Sequence, residues 1–214
     1  MSTPHLRRAA AAVSVAVVLP LALTACSSDS KDSASGSAAS SAKSSPSAAS
    51  SMPANMNDPF GPACSSVAKD GAGSFSGMAK DPVATAASNN PALSTLVTAV
   101  KKAGLVDTLN NAQNITVFAP TDDAFAKIPK PDLDKLLADK AELTKVLTYH
   151  AVGRKLTPKQ LESGSYATLE KSDLKTSGSD MAYTVNNGSK VVCGNVPTAN
   201  ATVYIVDSVL MPPK

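Results

Sequence analysis

The chain has 214 residues, 43% hydrophobic, 17% charged and 4% aromatic, with no Trp. That is room for one domain, and it excludes a collagen, a coiled coil and a disulfide-dense mini-protein. Its 20 Lys and Arg face 17 Asp and Glu, but Arg7 and Arg8 lie in a leading stretch without acids; beyond residue 25 the balance is 18 to 17, so no basic stripe offers itself to nucleic acid. The cysteines are Cys26, Cys64 and Cys193 and the histidines His5 and His150. Neither a CxxC pair nor a zinc-type cluster can be built from them, and no cofactor or metal is expected.

The chain opens with a short basic segment, Met1 to Arg8, then a 15-residue apolar run from Ala9 to Leu23 interrupted by Pro20. That run is too short for a membrane span and reads as an export signal. It ends in Leu23-Thr24-Ala25-Cys26, which resembles the lipobox of bacterial lipoproteins. The resemblance implies that residues 1–25 are removed and that the Cys26 thiol carries a diacylglycerol. Two acyl chains hold a protein firmly at a membrane, whereas one is marginal. From Ser27 to Ser51 there are 13 Ser and 6 Ala in 25 residues, with no aromatic or branched apolar side chain. Nothing there offsets the entropy of ordering, so residues 26–60 are expected to be a flexible spacer with a reach of roughly 30 Å. O-glycosylation of the Ser run is a sharper alternative.

Residues 61–214 carry 16 basic and 14 acidic side chains and are expected to form one domain. Asp81-Pro82 predicts an N-cap and first helical residue for a turn to Ala87. Asn90 caps a helix opening with Pro91, whose Leu93, Leu96, Val97 and Val100 share one face, and Gly104 closes it in the left-handed conformation. Asp107 to Leu109 is a short helical turn. Ile115 to Ala119 is a buried strand stopped by Pro120. Thr121 caps a helix from Asp122 to Ile128, with two acids at its positive end. Two more helices, Pro131 to Ala138 and Asp139 to Thr148, turn Leu133, Leu136, Leu137, Leu143, Val146 and Leu147 inward. Tyr149 to Val152 is a strand and Thr157-Pro158 a short turn. Strands are then expected over Tyr166 to Leu169, Met181 to Val185, Lys190 to Cys193 and Ala201 to Leu210. Asn187-Gly188 signals a type I′ hairpin. Helices first and strands second argue an α+β fold.

Three segments then carry a resemblance. Thr116-Val117-Phe118-Ala119-Pro120-Thr121-Asp122-Asp123-Ala124-Phe125 resembles the first signature of the fasciclin (FAS1) domain. Leu147-Thr148-Tyr149-His150-Ala151-Val152 resembles its central Tyr-His motif, and Val203-Tyr204-Ile205-Val206-Asp207-Ser208-Val209-Leu210 its closing signature. They occur in family order and span nearly the whole domain. Asp81-Pro82-Val83-Ala84 and Thr198-Ala199-Asn200-Ala201 are similar to a mycobacterial branch of secreted and lipid-anchored fasciclin proteins. In that branch a Gly-Pro-x-Cys bonds to a Val-Cys-Gly, which implies a Cys64–Cys193 disulfide here, fitting an oxidising compartment once Cys26 is acylated.

The family motif residues Thr116, Phe118, Pro120, Thr121, Phe125, Tyr149, His150 and Asp207 are expected to serve structure or adhesion, with Phe118 and Phe125 packed on one core. His150 is expected to be a hydrogen-bonded core residue whose partner is Asp207 or a backbone carbonyl. A hydrolase would have to be built on His150 and needs a triad the sequence does not offer. The resemblance implies a non-catalytic, monomeric adhesion module. It would be displayed on the outer face of a cell membrane, in part shed, against a matrix protein, cell-wall polymer or surface protein. The alternative is an envelope protein that binds a small molecule or lipid between helices and sheet.

Overall fold

The computed structural model describes residues 57–213; the export signal, Cys26 and the Ser/Ala run lie outside them. Helices occupy the first half: α1 (Phe75–Met78), α2 (Val83–Ser88), α3 (Ser94–Ala103) and α4 (Val106–Asn111). Strand β1 (Ile115–Pro120) follows, then α5 (Asp122–Ala126), α6 (Lys130–Ala138) and α7 (Lys140–Tyr149). The second half is mostly strand: β2 (Ala151–Val152), a short α8 (Pro158–Leu161), β3 (Ser163–Ala167), β4 (Asp173–Ser179), β5 (Ala182–Val185), β6 (Ser189–Pro197) and β7 (Ala201–Val206).

The strands make one sheet in the order β2-β1-β7-β6-β5-β4-β3. β1 and β7 run parallel, Ile115 opposite Ala201 through Pro120 opposite Val206, and the other pairs are antiparallel. Two register shifts along β6 bend the sheet, as bulges do. Its far edges then meet: Val152 bridges Thr168, and the Leu169 N–H donates to the Ala151 carbonyl at 2.7 Å. The rolled sheet leaves little open edge to recruit another chain.

Alternation sorts the two central strands onto two cores. Ile115, Val117 and Ala119 of β1 and Ala201, Val203 and Ile205 of β7 face the helices. Phe118, Tyr204 and Val206 face the inside of the roll with Tyr149, Leu156, Leu174 and Val185. Both strands are therefore buried at every position. Phe125 packs under the helices while Phe118 packs inside the roll, so the two do not share one core as expected; the Pro120-Thr121 corner turns the chain onto the opposite face of the sheet.

The local chemistry is partly as expected and partly supplied from afar. Asn90 accepts from the Ala92 N–H at 3.0 Å, Thr121 from Ala124 at 3.2 Å, and Asp139 from Ala141 and Glu142 at 2.8 and 3.0 Å. Gly104 (φ 73°) ends α3, with Leu105 N–H bonded to the Val100 carbonyl, a Schellman closure. Asp81 does not cap α2. Its carboxylate accepts from Asn89, and the α2 donors are met by Asn200 Oδ1 on Val83 N–H (2.8 Å) and Asn110 Oδ1 on Ala84 N–H (3.0 Å). Tyr149 belongs to α7 rather than to a strand, and β7 stops at Val206. The β5–β6 hairpin exists, but its left-handed residues are Asn186 (φ 49°) and Asn187 (φ 57°) instead of Asn187 and Gly188, because the Asn186 side chain also accepts from Lys175 N–H.

Asn200 is the residue that fastens the helical cover to the sheet. It is 7% exposed, and its amide donates to the carbonyls of Leu109 (2.7 Å) and Ala112 (2.6 Å) while its oxygen holds α2. Replacing it by Ala leaves these buried backbone groups unpaired. Asn200→Ala should cost about 2 kcal/mol and lower the melting temperature by roughly 4–8 °C; an unchanged melting temperature would contradict that role.

Candidate functional site

His150 follows the last turn of α7 and precedes β2. It is 2% exposed. Its Nδ1 lies 2.8 Å from the Val146 carbonyl, and its Nε2 lies 2.9 Å from the Leu210 N–H. A carbonyl can only accept and an amide N–H can only donate, so Nδ1 carries the proton and Nε2 is bare. Burial drives its pKa from 6.5 down to about 4, against a smaller upward pull from the Val146 carbonyl. The ring is a neutral strut joining α7 to the segment after β7. Its partner is backbone on both sides, and Asp207 is not among its partners.

Asp207 directly follows β7 and ties its end to β6 and to the residue after α5. Its carboxylate accepts from the Lys190 N–H (2.8 Å), the Ser208 hydroxyl (3.1 Å) and the Lys127 ammonium (3.2 Å). Burial alone would raise this carboxyl, but the three donors outweigh it and hold it below the ordinary carboxylate value. Asp122 behaves alike. Burial would raise it, yet the Ser94 hydroxyl and Thr95 N–H, at 2.7 and 2.8 Å, hold it down. Asp122 thus caps α3, across 27 residues of sequence, rather than only complementing its own helix.

The other motif residues are brought close together around β1. The Thr116 hydroxyl donates to the Arg154 carbonyl and accepts from the Leu156 N–H, both at 2.8 Å. Phe118 is fully buried and stacks on Tyr204 with ring centroids 5.8 Å apart, while its N–H donates to the His150 carbonyl. Pro120 ends the pairing with Val206. The Tyr149 hydroxyl donates to the Asp173 carbonyl (3.1 Å) and accepts from Asn186 Nδ2 (2.8 Å). Cys64 and Cys193 are disulfide-bonded with their Cα atoms 4.9 Å apart, within the range a disulfide requires.

Apart from these, two concave surfaces stand out. One is an apolar cavity of about 180 Å³ between the α2–α4 cover and the sheet, walled by residues such as Val83, Leu96, Val100, Leu109, Val203 and Ile205, with Ser88 and Lys101 on its rim. The sequence allowed for a cleft between helices and sheet but named none of its walls, since every wall residue reads as ordinary core. The other is a more open groove of about 620 Å³ between α5–α7 and the C-terminal segment, where Met211 is 51% exposed.

A family model described as the fasciclin domain matches residues 91–212. The chain belongs to the fasciclin-domain family. Among its relatives, the cell surface glycolipoprotein MPB83 of Mycobacterium bovis is 44% identical over 215 residues, covering 95% of this chain and 96% of the relative. The immunogenic protein MPB70 of the same species is 46% identical over 173 residues, covering 77% of this chain and 88% of the relative. Among solved structures, a FAS1 domain pair from the insect cell adhesion molecule Fasciclin I matches with TM-score 0.51 and 21% identity, over 61% of this chain; this chain spans about half (51%) of that one. That last likeness concerns the fold alone. In fasciclin terms, the three motifs read from the sequence are the β1–α5 corner, the α7–β2 junction and β7 with its following turn, and all three meet where His150 ties the C-terminal segment down.

Proposed function

We propose that this fasciclin protein is a surface-displayed lipoprotein. It is tethered through an acylated Cys26 and a spacer over residues 26–60, and its domain, residues 61–214, acts in adhesion or protein and matrix recognition without catalysing a reaction. The observation that carries the reading is the extent of likeness to the glycolipoprotein MPB83. Its alignment covers 95% of this chain, leaving about 11 of 214 residues outside, so it extends into the leader and the Ser/Ala run. The commitment of both His150 nitrogens to backbone supports the non-catalytic part, because an imidazole so held has no free nitrogen to serve as a base. The name of that relative also supports glycosylation of the Ser run.

Membrane fractionation tests the tether. The parent chain should partition into detergent and Cys26→Ala should move to the aqueous phase or medium. A Cys26→Ala protein as membrane-bound as the parent would contradict the reading. Capture of a surface or matrix component by the immobilised protein, lost with heat-unfolded protein, is the expected sign of recognition.

The cavity favours a second reading, an envelope protein that holds a small apolar ligand. Pockets lined by apolar side chains with few polar groups at the rim are the usual form of such sites.

A further inference from the structure

We propose that the cavity beneath α2, α3 and α4 binds the end of a straight aliphatic chain bearing an anionic head, a medium-chain carboxylate, with the head at Lys101. The inference rests on the second reading above and names the ligand class for it.

The size comes first. An apolar cavity of about 150 Å³ stays dry and takes up benzene, with six carbons. At about 180 Å³ this one has space for roughly seven or eight. Its walls are mainly aliphatic, the Val and Leu side chains of α2, α3 and α4 on one side and Val203 and Ile205 of β7 on the other. Such walls make no polar demand on a chain and supply dispersion contacts along its length.

The charge comes next. Among the described residues, only Lys101 and His150 of the side chains bordering the cavity can carry charge, and no Asp or Glu borders it. His150 is bound through both ring nitrogens and stays neutral. Lys101 is exposed on the last turn of α3, so its ammonium can remain in water while its stem runs along the apolar rim. Among the described residues bordering the cavity, a carboxylate at the mouth meets a cation and no competing anion. Ser88, also exposed on the rim, gives its hydroxyl proton to the Ala84 carbonyl at 2.8 Å, so the head is left to Lys101 and water. An alkyl amine would meet like charge there.

Titration calorimetry of the purified full-length protein with hexanoate, octanoate, decanoate and 1-octanol tests this. Affinity should rise about fourfold per methylene up to octanoate and then level off, because the cavity is full. Octanol should bind about fivefold more weakly than octanoate, and Lys101→Gln should bring octanoate to the octanol value. Ala87→Phe, which fills the cavity from α2, should abolish binding of both; a thermal scan shows whether it is folded, and the exposed Lys101→Gln carries the test if it is not. Equal binding of octanol and octanoate, unaltered by Lys101→Gln, would overturn the anionic head and leave the apolar-ligand reading standing. Affinity that climbs by the same factor per methylene from octanoate to decanoate would overturn the cavity as the site. Absence of binding by every probe would overturn both the inference and the second reading.

Discussion

Breaking the Cys64–Cys193 bond should remove a large share of the domain's stability. The bond joins residues 129 apart, and the chain-entropy account of so long a loop gives up to about 5 kcal/mol. Domains of this kind have roughly 5–15 kcal/mol in all. The bond also fixes a specific contact. The segment before Cys64 lies flat on β6: Phe60 and Gly194 exchange backbone hydrogen bonds at 3.1 and 2.7 Å, and the Phe60 ring enters the rolled core beside Tyr183 and Tyr204. Glycine is required on both sides of that contact. A Cβ on Gly194 would strike the Phe60 ring, and Gly61, at φ 108°, presses against the Val192 carbonyl. The double variant Cys64→Ala with Cys193→Ala, or the parent chain with reductant, should therefore unfold at markedly lower guanidinium concentration. Coincident midpoints with and without reductant would contradict this.

Acid should destabilise the domain between pH 6.5 and 4, and His150 should be the cause. The unfolded imidazole takes up a proton near its ordinary value of 6.5, whereas the buried ring resists protonation down to about 4. In that interval the unfolded chain binds more protons than the folded one, so stability is complete above pH 6.5 and is lost as the pH falls. The size is roughly 3 kcal/mol by pH 4. Asp122 and Asp207, both held below the ordinary carboxylate value, add to the loss only at lower pH, where carboxylates protonate. Urea unfolding of the parent and of His150→Gln at a series of pH values separates the terms. The variant should be less stable at neutral pH and nearly independent of pH from 6.5 to 4. A parent chain equally stable at both ends of that window would contradict the buried, neutral imidazole.

The legible parts of the fold were those encoded locally. The caps at Asn90 and Thr121 and the left-handed Gly104 involve residues within one turn of each other, where side-chain chemistry decides the backbone; Asp139, expected as the first residue of its helix, is its cap instead. What escaped was supplied at a distance. α2 begins with bonds from Asn110 and Asn200 rather than from Asp81, because those side chains are fixed by α4 and by the β6–β7 turn, and spacing along the chain carries no trace of that. β4 escaped because only Leu174 and Thr176 of its residues are buried, too few to make a period. The hairpin turn was displaced by one residue because the Asn186 side chain, which also bonds Tyr149, settles the register. For the site, the motif residues were visible as a set. Of the cavity only its place between helices and sheet was foreseen, and none of its wall residues, since a void is a property of how helices sit on a sheet and not of any residue in its wall.

The His150 ring, bonded to backbone through both nitrogens, is a support of the fold and not a reactive base. Long-range ¹H–¹⁵N correlation of the imidazole across pH 3.5 to 8 reads this directly. A single neutral tautomer with the proton on Nδ1 is expected, unchanged down to a pH near 4, with Nε2 showing the shift of a bare nitrogen that accepts a hydrogen bond. A ring that titrates near 6.5, or that carries its proton on Nε2, would contradict it.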